Sequence, residues 1–177
     1  ANNGLHLVTG TSGLVKSNLE KLKLLSESND IGIIVAPNFA LGAVILSHLS
    51  RIAAPFFEYA EIFETHHENK MDAPSGTALS LAKSISKDNS FITAKTKSEY
   101  ISNVRGGNYE GISIHSSRIP GKLAQHEIVF GAAGQTLSLR HDTINRECYI
   151  PAIVIAIKEV VKHHELIVGM ENLLIQG

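Results

Sequence analysis

Cysteine is nearly missing from these 177 residues: Cys148 stands alone, and tryptophan is absent. A lone thiol makes neither an internal disulfide nor a zinc cluster, which excludes a disulfide-stapled secreted scaffold. Cys148 itself reads as a small buried apolar residue. Charge is scarce too. Charged residues make up 19% of the chain, with 16 Lys and Arg against 17 Asp and Glu, for a net charge of −1. Without a basic field, neither nucleic acid nor an anionic membrane surface is an expected partner. Long hydrophobic runs are missing as well. The longest, Ile150 to Ile157, is far short of the roughly 20 residues a membrane-spanning helix needs. The first residues lack the basic and apolar layout of a signal peptide, so the expected compartment is the cytosol, or a plastid stroma.

What is present is 44% apolar residues, enough for a packed core. The low charged fraction, against roughly 25% in typical soluble domains, leans toward a well-buried or oligomeric protein. Leu5 to Val8 reads as a strand running into the turn Thr9-Gly10-Thr11-Ser12-Gly13. Leu14, Leu19, Leu22 and Leu25 then fall at helical spacing. A second apolar strand, Ile31 to Ala36, ends in Pro37-Asn38-Phe39, and Leu41 to Ala54 reads as a helix closed by Pro55. Strand, helix, strand, helix is the mark of an α/β layer with parallel strands.

The middle of the chain changes character. Phe57 to Thr65 alternates as a strand, His66 to Pro74 is a polar loop, and Ser75-Gly76-Thr77 opens a helix through about Ser86. Lys87 to Asn108 is irregular, with a strand expected near Phe91 to Ala94. From Gly111 to Arg140 the period becomes two, which predicts an antiparallel sheet. Ile150 to His163 forms an apolar helix, followed by a short tail, Gly169 to Leu174.

The densest polar cluster is Glu64-Thr65-His66-His67-Glu68-Asn69-Lys70-Met71-Asp72-Ala73-Pro74-Ser75-Gly76-Thr77. It leaves a strand end and enters a helix start, where ligands collect in α/β proteins. Free N–H groups there, with the Ser75 and Thr77 hydroxyls, suit a carboxylate or phosphate, and Gly76 lets an anion approach the backbone. His66 or His67 is then the proton donor or acceptor, and Lys70 supplies positive charge or a proton. The plainer alternative is a solvated loop with Ser75 as an N-cap. Adjacent histidines on an extended segment diverge, so no metal site is expected. The turns Gly10-Thr11-Ser12-Gly13 and Ala36-Pro37-Asn38-Phe39 sit side by side at strand ends, where a cofactor can lie. Arg118, His126, Arg140 and His141 read mainly as sheet-surface residues.

The string from His66 to Ala78 resembles the signature of the dihydrodipicolinate reductase family, His-His-x-x-Lys-x-Asp-Ala-Pro-Ser-Gly-Thr-Ala, at every fixed position. Val8 to Gly13, Ala36 to Phe39, Arg118 to Gly121, His126 and Arg146 to Tyr149 fall in family order too. The resemblance implies hydride transfer from NADH or NADPH to a cyclic unsaturated dicarboxylate, giving tetrahydrodipicolinate. It implies His66 as the acid/base residue and Lys70 as second proton donor. His67, Gly76 and Thr77 would bind the dicarboxylate, with Ser75 beside them in the cradle. Gly10, Thr11, Ser12, Ala36, Pro37, Asn38 and Phe39 would contact the nicotinamide end, as would Arg146 and Tyr149. A homotetramer joined through the middle sheet is also implied.

The fold expected on this basis is α/β, a truncated Rossmann-like parallel sheet plus a mixed α+β substrate-binding and tetramerisation domain. Residues 1–39 and 146–177 would form the partial dinucleotide-binding part, and 40–145 the substrate domain. The family's glycine-rich pyrophosphate turn does not occur before Leu5 or elsewhere. The expectation is therefore a chain recorded without an N-terminal segment, with weak cofactor affinity and impaired turnover. The alternative is a non-catalytic dicarboxylate-binding or assembly protein.

Overall fold

The computed structural model describes residues 3–11 and 13–174. In chain order its elements are β1 (Leu7–Thr9), α1 (Lys16–Asn29), β2 (Ile33–Val35), α2 (Leu41–Ala53), β3 (Tyr59–His66) and α3 (Gly76–Ser86). There follow β4 (Gly107–Tyr109), β5 (Ile112–Arg118), β6 (Ala124–Ala132), β7 (Gln135–Thr143), α4 (Ile150–Val160), β8 (Leu166–Val168) and α5 (Glu171–Leu174). They divide into two units, Ala1–Val44 with Arg146–Gly177, and Ile45–Asn145.

The first unit is built on a parallel sheet of order β1-β2-β8. Ile33, Ile34 and Val35 are all buried, because both faces of β2 are covered. Ile34, Ala36, Phe39 and Val44 pack with Ala152, Ala156 and Val160 of α4 on one side. Ile31, Ile33 and Val35 meet Leu14, Leu19 and Leu22 on the other. Where β2 begins, a Cβ on Gly32 would lie 2.0 Å from the Val160 carbonyl oxygen, so only glycine fits there. Strand β8 lies between the expected helix and tail, where the sequence pattern marks no element. Three apolar residues after His163-His164-Glu165 are too short to show a period, and pairing to β2 is what makes them a strand.

The second unit has a five-stranded sheet of order β4-β5-β3-β6-β7. Its core sets Ala60, Ile62, Ile112, Ile114, Ile128 and Phe130 against Ala78, Leu81, Ala82 and Ile85 of α3. The period of two correctly marks β5, β6 and β7, but the sheet is mixed rather than antiparallel. Strand β3 lies between β5 and β6, parallel to the first and antiparallel to the second. The β5–β6 connection therefore passes over the end of β3, where the Ile119 N–H bonds the His66 carbonyl at 3.0 Å. Two tight hairpins complete the sheet: β4–β5 turns at Glu110 and Gly111, with φ +49° and +89°, and β6–β7 turns at Gly134 with φ +76°.

Two local expectations fail. Phe91 to Ala94 is no strand: it is tied by Ile92 N–H to the Glu58 carbonyl at 2.8 Å and by Asn108 Nδ2 to Thr93 Oγ1 at 2.9 Å, while the Phe91 ring buries against Phe130. The edge strand is instead Gly107–Tyr109, where paired glycines suggested a loop. Cys148 is half-buried rather than buried, in a single 3-10 turn that precedes α4.

Candidate functional site

Along β3 the inward row reads Ala60, Ile62, Glu64, His66, because alternate side chains of a strand share a face. A carboxylate and an imidazole thus continue an aliphatic row, and both are buried, at 1% and 7% exposure. A buried charge survives only if paired and hydrogen-bonded. Glu64 meets that demand from three directions. Arg118, opposite His66 on β5, donates from Nη2 to Oε1 at 2.9 Å and from Nη1 to Oε2 at 3.1 Å. The Ser75 N–H donates to Oε1 at 3.3 Å, and His66 Nδ1 contacts Oε2. Arg118 also donates to the Asp72 carbonyl at 2.6 Å, tying the loop to the sheet.

Burial pushes the Glu64 carboxyl up, but hydrogen bonds from Arg118, Ser116 and His66 and the His66 charge together hold it below its ordinary value. Burial lowers the His66 imidazole, as do the Lys70 and Arg118 charges; Glu64 opposes them without prevailing. The two directions agree on an ionised Glu64 beside a neutral His66. A carboxylate only accepts, so Nδ1 carries the proton and Nε2 keeps its lone pair.

Ser75 is the N-cap of α3: its Oγ accepts from the Ala78 N–H at 3.2 Å. The same Oγ hydrogen-bonds His126 Nε2, 3.1 Å away on β6, with the direction set by the His126 tautomer. His126 is 4% exposed, and its ring meets His66 edge-on with centroids 5.1 Å apart. Burial first, then the neighbouring His66, pushes its imidazole down to about 4. Lys70 Nζ bonds Asp72 Oδ1 at 2.6 Å, and with the Gly76 backbone it holds the Asp72 carboxyl below its ordinary range. Gly76 is exposed at the helix start, where a Cβ would meet nothing within 4 Å. Thr77 is half-buried behind it, and His67 is half-buried with its carbonyl accepting from the Lys70 N–H at 3.2 Å.

The expected residues His66, Lys70, Ser75 and Gly76 are thus brought to one hydrogen-bonded region at the start of α3. Ser75 is spent within the protein on Ala78, His126 and Glu64, so the outward donors of the cradle lie at Gly76 and Thr77. Two sequence readings are corrected. Arg118 and His126 are not sheet-surface residues, because both turn inward onto the Glu64–Ser75 network. Arg140 does lie on the surface, with Asp142. Glu64 and Asp72 were assigned no role by the sequence. The period-two pattern of β3 put Glu64 on the apolar face with Ile62, a buried acid that asks for a partner. Glu64, His66 and His126 also hold ligand-type atoms within 4.8 Å of one another. A divalent cation there would compete with the guanidinium for the same carboxylate, so the trio is organised as a hydrogen-bond network.

The residues expected at the nicotinamide end lie in the other unit. Gly10 and Thr11 follow β1, and Ala36 to Phe39 follow β2, at the carboxyl ends of two adjacent parallel strands. A Cβ on Gly10 would lie 3.1 Å from the Phe39 ring, so a larger residue there would crowd that ring. Asn38 Oδ1 is held by the Ala40 N–H at 2.9 Å, Phe39 is buried, and Pro37 is exposed. Arg146 is exposed, and Tyr149 packs against the core beneath α4. Ser12 lies outside the described residues.

Comparison with known proteins gives one consistent result. Residues 42–174 match the family described as dihydrodipicolinate reductase, C-terminus. A 4-hydroxy-tetrahydrodipicolinate reductase of Dehalococcoides mccartyi is 47% identical over 170 residues, covering 96% of this chain and 65% of the relative. One from Moorella thermoacetica is 42% identical, covering 97% and 64%. Dipicolinate-bound dihydrodipicolinate reductase from Paenisporosarcina sp. TG-14 superposes with a TM-score of 0.90 at 40% identity, covering 98% of this chain and 66% of that one. The chain thus spans about 65% of the length of the curated relatives it matches.

Proposed function

Because this chain belongs to the dihydrodipicolinate reductase family, we propose that it carries the substrate site and the nicotinamide-end surface of an NADH- or NADPH-dependent reductase. The reaction adds a hydride and a proton across one double bond of a cyclic unsaturated dicarboxylate. NAD(P)H becomes NAD(P)+, and the product is tetrahydrodipicolinate. The observation that carries this reading is the buried Glu64–His66 pair beside the start of α3.

The dicarboxylate binds at Gly76 and Thr77 of the α3 N-terminus with His67, where backbone N–H groups and the helix dipole favour an anion. Lys70 leaves Asp72 for the substrate and supplies positive charge, or a proton, beside the reacting ring. Substrate charge also changes His66. Two carboxylates offset the Lys70 and Arg118 charges that depress it, so the imidazole gains proton affinity as the site fills. It then holds at Nε2 the proton the reduced ring needs. The reduced nicotinamide, when bound along Gly10, Thr11, Ser12, Ala36 to Phe39, Arg146 and Tyr149, supplies the hydride.

The proposal includes a homotetramer joined through the outer face of the five-stranded sheet, which exposes Tyr59 and Phe63. The dipicolinate bound by the Paenisporosarcina enzyme supports the choice of ligand. Calorimetric titration with pyridine-2,6-dicarboxylate and with NADH tests the reading. These 177 residues should bind the dicarboxylate, with proton uptake, and bind NADH weakly, having no pyrophosphate turn. A protein carrying the relatives' full length should bind both and turn over. No dicarboxylate binding by either form would overturn the proposal, and dicarboxylate binding without NADH binding by the longer form would favour a non-catalytic binding protein.

A further inference from the structure

One carboxylate joins the two halves of the site. Glu64 Oε2 faces His66 Nδ1, and Oε1 accepts from the N–H of Ser75, the residue that caps α3. Arg118 grips both oxygens and is itself tied to the Asp72 carbonyl. The Glu64 side chain is fully enclosed, so it touches neither substrate nor cofactor. We infer that Glu64 is the positioning residue of this site: it locks His66 in the Nδ1–H form, leaves Nε2 as the working nitrogen, and holds that nitrogen in register with the anion cradle of α3. The inference rests on the proposed role of His66.

The donor arithmetic makes the role specific. Arg118 and Ser75 are pure donors toward Oε1, so that position must remain an acceptor. Oε2 takes only the longer Arg118 bond, from Nη1 at 3.1 Å, so in Glu64→Gln the amide oxygen stays at Oε1 and the NH2 group takes the Oε2 position facing His66, giving up that one bond. An NH2 donates, so Nδ1 must accept and the His66 proton moves to Nε2. The substitution thus inverts the tautomer with almost no change of shape. A purely structural Glu64 would lower stability and leave the tautomer alone.

The test is nitrogen NMR of histidine-labelled protein, with His66 assigned by its loss in His66→Gln. The charged and titratable groups facing His66 are Glu64, Lys70, Arg118 and His126. At neutral pH the native chain should show a protonated Nδ1, with a downfield proton held by the carboxylate, and an unprotonated Nε2. Glu64→Gln should exchange the two signals. In the longer catalytic form, kcat should then fall by roughly 10²- to 10⁴-fold, the usual worth of general acid–base help. Native His66 protonated on Nε2, an averaged pair of signals, or a folded Glu64→Gln chain still protonated on Nδ1 would each overturn the inference. If the variant does not fold, the native tautomer and its downfield proton decide alone. These signals need no cofactor and no turnover, so failure of the proposed reaction would show separately, as absent dicarboxylate binding.

Discussion

Replacing Arg118 by Met tests the energetics of the buried network most directly. The change keeps a long apolar stem but removes both bonds to Glu64, whose side chain has no exposure to water. Breaking a buried ion pair from one side costs about 3–5 kcal/mol, because the remaining charge is uncompensated. Protonation limits that cost. Neutralising a carboxyl of ordinary value 4.5 at pH 7 takes about 3.4 kcal/mol, at 1.36 kcal/mol for each pH unit. The native Glu64 carboxyl lies below its unfolded value, so its stabilisation is present above about pH 4.5 and lost as pH falls through the folded value. In Arg118→Met burial dominates and the carboxyl rises, so stability is greatest below about pH 4.5 and lost as pH climbs. The gap between native and variant should therefore be about 3–4 kcal/mol at pH 7 and shrink toward about 1 kcal/mol at pH 4.5. Urea unfolding followed by circular dichroism at both pH values measures it, with unchanged m-values as the check that the unfolded state is the same. Adding Glu64→Gln to Arg118→Met should recover about 1–2 kcal/mol at pH 7, since it removes the stranded charge. A gap below about 1 kcal/mol at pH 7, or one equal at both pH values, would refute the account of Glu64 as a buried anion held by Arg118.

In the longer catalytic form, His66→Gln should lower kcat by about 10²-fold or more, and Thr77→Val should mainly raise KM for the dicarboxylate. Steady-state kinetics separates them, and an unchanged kcat in His66→Gln removes it from proton transfer. Proton NMR should show His126, which faces His66, Glu64, His141 and Lys70, uncharged at pH 5 with a midpoint of about 4. Its folded value lies below the unfolded one, so its share of stability fades as pH drops from 6.5 through 4. A midpoint near 6.5 would contradict its burial. Gly111→Ala should lower Tm by at least about 4 °C, a cost of about 2 kcal/mol or more. Its φ is +89° and its Cβ would lie 2.1 Å from the Phe91 carbonyl oxygen; an unchanged Tm would show that the Phe91 segment yields.

Hydrophobic period made most of the fold legible. Leu14 to Leu25, Leu41 to Ala54 and Ser75 to Ser86 mark helices because their apolar residues face a core at helical spacing. Elements set by pairing alone were not legible. Leu166–Val168 and Gly107–Tyr109 are three residues each and exist through their neighbours' backbones. The placement of β3 between β5 and β6 depends on partners distant in the chain, which local alternation does not encode. For the site, the His66 to Thr77 string was legible as a helix-start cradle beside a proton carrier. The residues behind it were not. Arg118 and His126 sit on alternating strands where either face looks plausible, and only the buried Glu64 carboxylate and the Ser75 hydroxyl draw them inward.

The placement of β2 between β1 and β8 also sets an order of assembly. As the chain emerges from a ribosome, Ile34 must wait for Ile167, which follows the whole of the second unit, before the first sheet has its far neighbour. The segment from Ile45 to Asn145 holds all five strands of its own sheet and needs no later residue to pair. Domains generally fold as units during synthesis. The Glu64–His66 site therefore matures while the parallel sheet is still unfinished. A nascent chain stalled after Asn145 should already shield His126 from solvent, and one stalled before β8 should leave an edge of β2 open to a chaperone.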